Sequence, residues 1–156
     1  MGTLIQGRQI RLMEYGTQVL KAAQTLPQTA TSTLFTVTGG RVVITSLAGT
    51  VSTVIGGTAT TLALGTAPTV GTAATGGIAS ATPITSKEAG THIWLPSAAG
   101  SAVVVGANAG AAAQLLGGQA YVVSAGTITW TTSASTTGAI SWALTYIPLD
   151  TGAAVS

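Results

Sequence analysis

The chain has 156 residues, of which only five are Lys or Arg and three are Asp or Glu, for a formal net charge of +2. Soluble domains average about a quarter charged residues, so general acids, general bases and carboxylate metal ligands are scarce here, and the repulsion that keeps free proteins apart is weak. Cysteine is absent, which excludes disulfides and thiolate metal sites and leaves the chain indifferent to redox compartment.

The charges are unevenly placed. Arg8, Arg11, Glu14 and Lys21 lie in the first 21 residues, whereas Arg41, Lys87, Glu88 and Asp150 are all that the rest of the chain carries. From residue 22 onward the chain is therefore neutral, which reads as a building block whose surface meets other protein. Three cations near the N-terminus make only a faint version of the basic stripe that nucleic acid requires, so no nucleic-acid partner is expected. No run of about 18 large apolar residues occurs, so no membrane-spanning helix is expected. The opening Met1–Gly7 lacks the basic-then-apolar order of a signal peptide, and export by a standard route is not expected.

In chain order, residues 8–24 have helical character: Leu12, Gly16, Val19, Leu20 and Ala23 share one face of a 3.6-residue period. A competing extended arm is visible in the alternation of Ile10 and Leu12 with Gln9 and Arg11. The spacing predicts a helix that ends before Leu26-Pro27, because the residue preceding proline is pushed out of the α region. This divides the chain into a helical or extended arm, 1–27, and a β-rich body, 28–156.

After Pro27 the pattern becomes β. Thr33–Thr38 and Arg41–Ser46 flank Gly39-Gly40 and predict a hairpin. Strands follow at Thr50–Ile55 and Thr60–Leu64. Residues 65–91 are poorly defined, with room for weak strands at 69–73 and 78–84 or for one long loop. His92–Leu95 and Ala102–Val105 are short strands, and 106–118 allows at most a turn of helix. Ala120–Ser124, Thr127–Thr132 and a final strand complete the chain. In that last strand Ile140, Trp142, Leu144 and Tyr146 point one way, and Ser141, Ala143 and Thr145 the other. Trp130 and Trp142 are expected to face each other across the last hairpin as an aromatic anchor. Strands recurring at this spacing predict an all-β fold, a compact antiparallel sandwich or barrel.

The residues do not assemble a catalytic motif. His92 is the single histidine, and its nearest acidic neighbour in sequence is Glu88. Carboxylate pairs are limited to Glu14, Glu88 and Asp150 in three distant segments. No G-x-S-x-G elbow, S-x-x-K pattern or phosphate loop occurs. The chain therefore reads as a non-enzyme with no cofactor, metal or small-molecule substrate. T-x-T pairs such as Thr36/Thr38, Thr58/Thr60 and Thr127/Thr129/Thr131 resemble ice-binding ladders, but those need a fixed coil repeat that is lacking here. Threonine accounts more simply for strands whose exposed face hydrogen-bonds without charge.

Three stretches carry a resemblance: TLPQTATSTLFTVTGGRVVITSLAGTVSTVIGG at 25–57, GANAGAAA at 106–113 and AGTITWTTSASTTGAISWALTYIPLDTGA at 125–153. In content and order they resemble small structural proteins of tailed bacteriophages, most of all capsid decoration, or cement, proteins. The resemblance implies a virion component made in the host cytoplasm and placed on the outer capsid surface. It implies a homotrimer that clamps neighbouring major capsid subunits through an N-terminal arm. Arg8, Arg11, Glu14 and Lys21 are then the expected capsid contacts, and uncharged Thr, Ala and Val surfaces the trimer interface. The alternatives are a tail or head-fibre component and a non-viral protein-binding or lattice module.

Overall fold

The computed structural model describes residues 15–112 and 120–156. These residues form two antiparallel sheets packed face to face as a β-sandwich, the class expected from the strand spacing. The strands are β1 (Thr17–Thr25), β2 (Thr31–Thr38), β3 (Val42–Thr53), β4 (Thr61–Pro68), β5 (Ala74–Pro83), β6 (His92–Trp94), β7 (Val104–Val105), β8 (Tyr121–Val123), β9 (Gly126–Thr132), β10 (Ala139–Pro148) and β11 (Ala154–Val155). The larger sheet runs β1-β10-β3-β6-β7, with β8 pairing β3 beside β6; the smaller runs β11-β2-β9-β4-β5.

Alternation along each strand selects what is buried. In β10, Ile140, Trp142, Leu144 and Tyr146 are buried while Ser141, Ala143 and Thr145 are partly exposed, as their period-two spacing predicts. Phe35, Ile44, Leu62, Leu64, Ile93 and Ile128 complete the centre of a single apolar layer. Each such side chain contributes on the order of 1.5–3 kcal/mol by leaving water.

Several local expectations are corrected. The helix expected over 8–24 does not form in its second half: Thr17–Thr25 is a strand in register with β10, from Thr17 opposite Tyr146 to Thr25 opposite Ala139. Gly16 at φ +88°, packed against the Tyr146 carbonyl, breaks the helical period, and β10 supplies the backbone partners a helix would have found within itself. Residues 8–14 of that expectation lie outside the described residues. Gly39-Gly40 does turn the chain, but not into a hairpin: β2 pairs with β9 and β11, and β3 with β10, β6 and β8, so the turn crosses between sheets. Thr50–Ile55 is not a separate strand but the continuation of β3. Residues 65–91 hold the end of β4 and all of β5. Residues 106–112 form turns, and the remainder of the 106–118 expectation lies outside the described residues.

The tryptophan anchor exists in a different place. Trp130 and Trp142 sit on opposite sheets, and their rings meet edge to face across the core, centroids 5.8 Å apart and planes at 86°. This is the T-shaped geometry that the ring quadrupoles favour. Gly49, opposite Trp142 in the register, leaves room for the indole: a Cβ there would stand 2.9 Å from Trp142 Cζ3.

The sheet edges are handled individually. Residues 101–103 run beside β5, with Ser80 N–H donating to the Ser101 carbonyl and Val103 N–H to the Ser80 carbonyl. β7 and β11 are two residues each. β1 is the long edge, and it carries Lys21 and a bulge between Lys21 and Gln24. Both are devices that discourage indiscriminate strand addition.

Candidate functional site

Of the four residues expected to meet a partner through charge, Arg8, Arg11 and Glu14 lie outside the described residues. Lys21 lies on β1 opposite Trp142 and is half-buried, its Nζ 5.8 Å from the centroid of the Phe35 ring. That is the outer limit of a cation–π contact, so its ammonium is turned along the rim of the core.

The remaining four charges each have partners within the molecule. The Arg41 guanidinium donates from Nη2 to Asp150 Oδ1 at 2.8 Å and from Nε to Oδ2 at 3.0 Å, and the Arg41 backbone N–H donates to Oδ2 at 2.7 Å. Gly40, at φ +144°, admits this arrangement, since a Cβ on it would lie 2.5 Å from Asp150 Cβ. The side-chain and backbone hydrogen bonds from Arg41 pull the Asp150 carboxyl down to about 2. Both side chains keep solvent contact, at 59% and 35% exposure. The pair therefore fixes the crossing between β2 and β3 against the turn after β10 rather than forming a reactive centre.

Lys87 and Glu88 hold a loop. Lys87 Nζ donates to the Gly106 carbonyl at 2.9 Å and the Ala107 carbonyl at 3.2 Å, while Glu88 Oε1 accepts the Ala109 N–H at 2.8 Å. GANAGA is thus pinned to the body by two opposite charges. His92 Nδ1 sits 3.2 Å from Thr50 Oγ1, with Glu88 committed to Ala109. Among the described residues no group of three or more His, Asp or Glu side chains is placed to hold a metal ion.

What the fold does create is two broad outer faces. On the larger sheet, cross-strand register lines up Leu20, Ala143, Ala48, Trp94 and Val104 over five strands. A second apolar row joins Ile147, Val43 and Val122. Uncharged polar rows lie between and beside them, Gln18–Thr145–Ser46 and Ser141–Thr50–His92. Leu20 is 68% exposed and Val122 64%. The smaller sheet presents a threonine array instead. Thr31, Thr33 and Thr36 of β2 stand opposite Thr131, Thr129 and Thr127 of β9, with Ala63, Gly65 and Ala67 of β4 on the far side. Thr31 and Thr131 join hydroxyl to hydroxyl at 2.7 Å.

Neither face is legible in the linear sequence. The alternation of His92-Ile93-Trp94 places Trp94 opposite Ile93 and so outward, a local signal. The alignment of Trp94 with Leu20, by contrast, depends on three strand registers. No protein-family model, curated protein or solved structure matches the chain.

Proposed function

We propose that this chain is a non-enzymatic structural component of a tailed-phage virion. In this reading it decorates the outside of the capsid shell and reinforces it, self-associating and binding the major capsid protein. The observation that carries the reading is the fate of the charges. Arg41, Asp150, Lys87 and Glu88 are all engaged within the molecule, so the described residues of the two sheets offer their surroundings wide faces without a charged side chain. Catalysis by acid, base or metal finds no clustered groups in such a body. Association does, because apolar and hydroxyl-bearing faces bind through shape and buried area, with few charges needed to set register.

Under this proposal, Arg8, Arg11 and Glu14 belong to the segment that reaches the shell, Lys21 stands where that segment joins the sheet edge, and the neutral body meets neighbouring copies. Repetition by capsid symmetry turns modest contacts into resistance against the pressure of packed DNA. The test is to determine the mass of the purified protein and then image undecorated heads mixed with it. A species of three times 15.2 kDa that adds density at threefold positions supports the proposal. A hexameric ring that ignores heads points to the tail instead, and indifference to every virion part points to a non-viral lattice. A chain lacking residues 1–14 should keep its fold and lose head binding; undiminished binding removes the arm from the mechanism.

A further inference from the structure

The two outer faces differ in a way that singles one out. The smaller sheet lines its outer side with threonine, with Thr31 and Thr131 joined hydroxyl to hydroxyl and Thr129 buried among its neighbours. The larger sheet leaves Leu20, Trp94, Val104, Val43, Val122 and Ile147 on its outer side, in two rows. Three of the large apolar side chains that the fold leaves most exposed, Leu20, Val122 and Ile147, stand on this face. Contiguous exposed apolar rows of this kind mark interaction surfaces.

We propose that the outer face of the larger sheet is the surface on which a second copy of this chain packs, sheet against sheet. Three features favour a copy of itself as the occupant. Facing two identical charged surfaces sets like charges against each other, and among the described residues this face carries no Asp, Glu, Lys or Arg, so self-pairing of these residues meets no such penalty. Its relief is self-complementary: Ala143 and Ala48 form a shallow trough at the centre of the long row, bordered by Leu20 on one side and Trp94 on the other. A copy turned about a two-fold axis lays its own ridges into that trough. The size is sufficient. With each strand of the sheet taken at its own length, spacings of about 4.8 Å between strands and about 3.4 Å per residue give a face of roughly 640 Å², at the lower end of the roughly 600–1,000 Å² that each partner buries in a standard interface.

The inference rests on the assembly reading above only in requiring that the chain meets its own copies, and the test keeps the two apart. Sedimentation of the full chain, with no capsid present, compares the wild type with a Leu20→Lys/Val122→Lys double variant and with Thr33→Lys on the opposite face. Because a two-fold contact between like faces closes pairs, expected are a wild type of twice 15.2 kDa or an even multiple of it, a double variant reduced in mass, and a Thr33→Lys variant of wild-type mass. Trp94 is the one partly exposed indole, and it should become more open to acrylamide quenching in the double variant. The near-UV spectrum of the buried Trp130–Trp142 pair confirms that each variant is folded.

A monomeric wild type, a trimeric one (which would leave the assembly reading standing), or a double variant that keeps its oligomeric mass overturns the inference. So does loss of self-association in Thr33→Lys alone. A double variant that keeps its mass but no longer binds undecorated heads assigns the face to the shell instead.

Discussion

Trp142 offers the sharpest test of how the two sheets are held together. It is buried to 2% exposure, packs edge to face on Trp130, and occupies the space that Gly49 leaves opposite it. Truncation to alanine removes the indole from the middle of the sandwich, where neighbouring strands are too constrained to collapse into the void, and should cost about 3–5 kcal/mol. Against a typical domain stability of roughly 5–15 kcal/mol, that is about a fifth of the total at the least. Substitution by phenylalanine separates two contributions. Among the described residues the buried Trp142 Nε1 has no hydrogen-bond partner, and an unpaired buried donor costs about 1–3 kcal/mol. Trp142→Phe keeps an aromatic ring and discards that donor, so the loss of packing volume is largely offset, and a net change under about 1.5 kcal/mol is expected. Urea denaturation at fixed protomer concentration measures both variants, since association would otherwise move the midpoint. A Phe cost well above that range would mean that the indole N–H is satisfied in the folded protein, and equal destabilisation by Phe and Ala would refute the packing argument, because a retained aromatic ring would then recover nothing.

Four further outcomes follow from the geometry. Asp150→Asn should flatten the acid limb of the stability profile: a carboxyl lowered from 3.8 to about 2 contributes stability above its unfolded value and loses it as pH falls through about 2. Melting temperatures of wild type and variant between about pH 5 and 2 should therefore converge at the acid end, and parallel curves would show that the pair with Arg41 is absent. Lys87→Met should release the 106–109 loop, raising amide exchange and protease cutting there while lowering global stability by only about 1 kcal/mol; unchanged loop protection would mean that the Gly106 and Ala107 carbonyls do not depend on the ammonium. Gly40→Ala places a side chain at φ +144° against Asp150 and should cost at least about 1–3 kcal/mol, read as a lower urea midpoint with an unchanged slope. Truncation through Thr25, unlike truncation through Glu14, removes β1 with its seven register partners on β10 and should cost about 2–5 kcal/mol; a truncated chain as stable as the full one would show that β1 is not part of the sheet in solution.

The class of fold and the identity of most strands were legible in the amino-acid sequence. Period-two alternation in 139–148, the apolar run at 42–44 and the glycine pairs between runs each report on a few adjacent residues, and local sterics and burial suffice to fix them. Charge scarcity and the absence of cysteine are equally legible there, and they narrow the chemistry open to the chain. Pairing was decided only by the tertiary structure. Adjacent strands β2 and β3 go to different sheets, and Trp130 and Trp142, close in sequence, meet across the core rather than across a hairpin. Thr31 finds Thr131 a hundred residues away. Residues 17–25 show the same rule most clearly: their spacing suits a helix, yet the free edge of β10 offers backbone partners that a helix broken at Gly16 cannot match. The outer faces belong to this second category, since Leu20, Ala143, Ala48, Trp94 and Val104 become one surface only through registers between distant strands. Periodicity fixes which side of a strand is buried; which strands lie side by side is settled by the packing of the whole chain around one core.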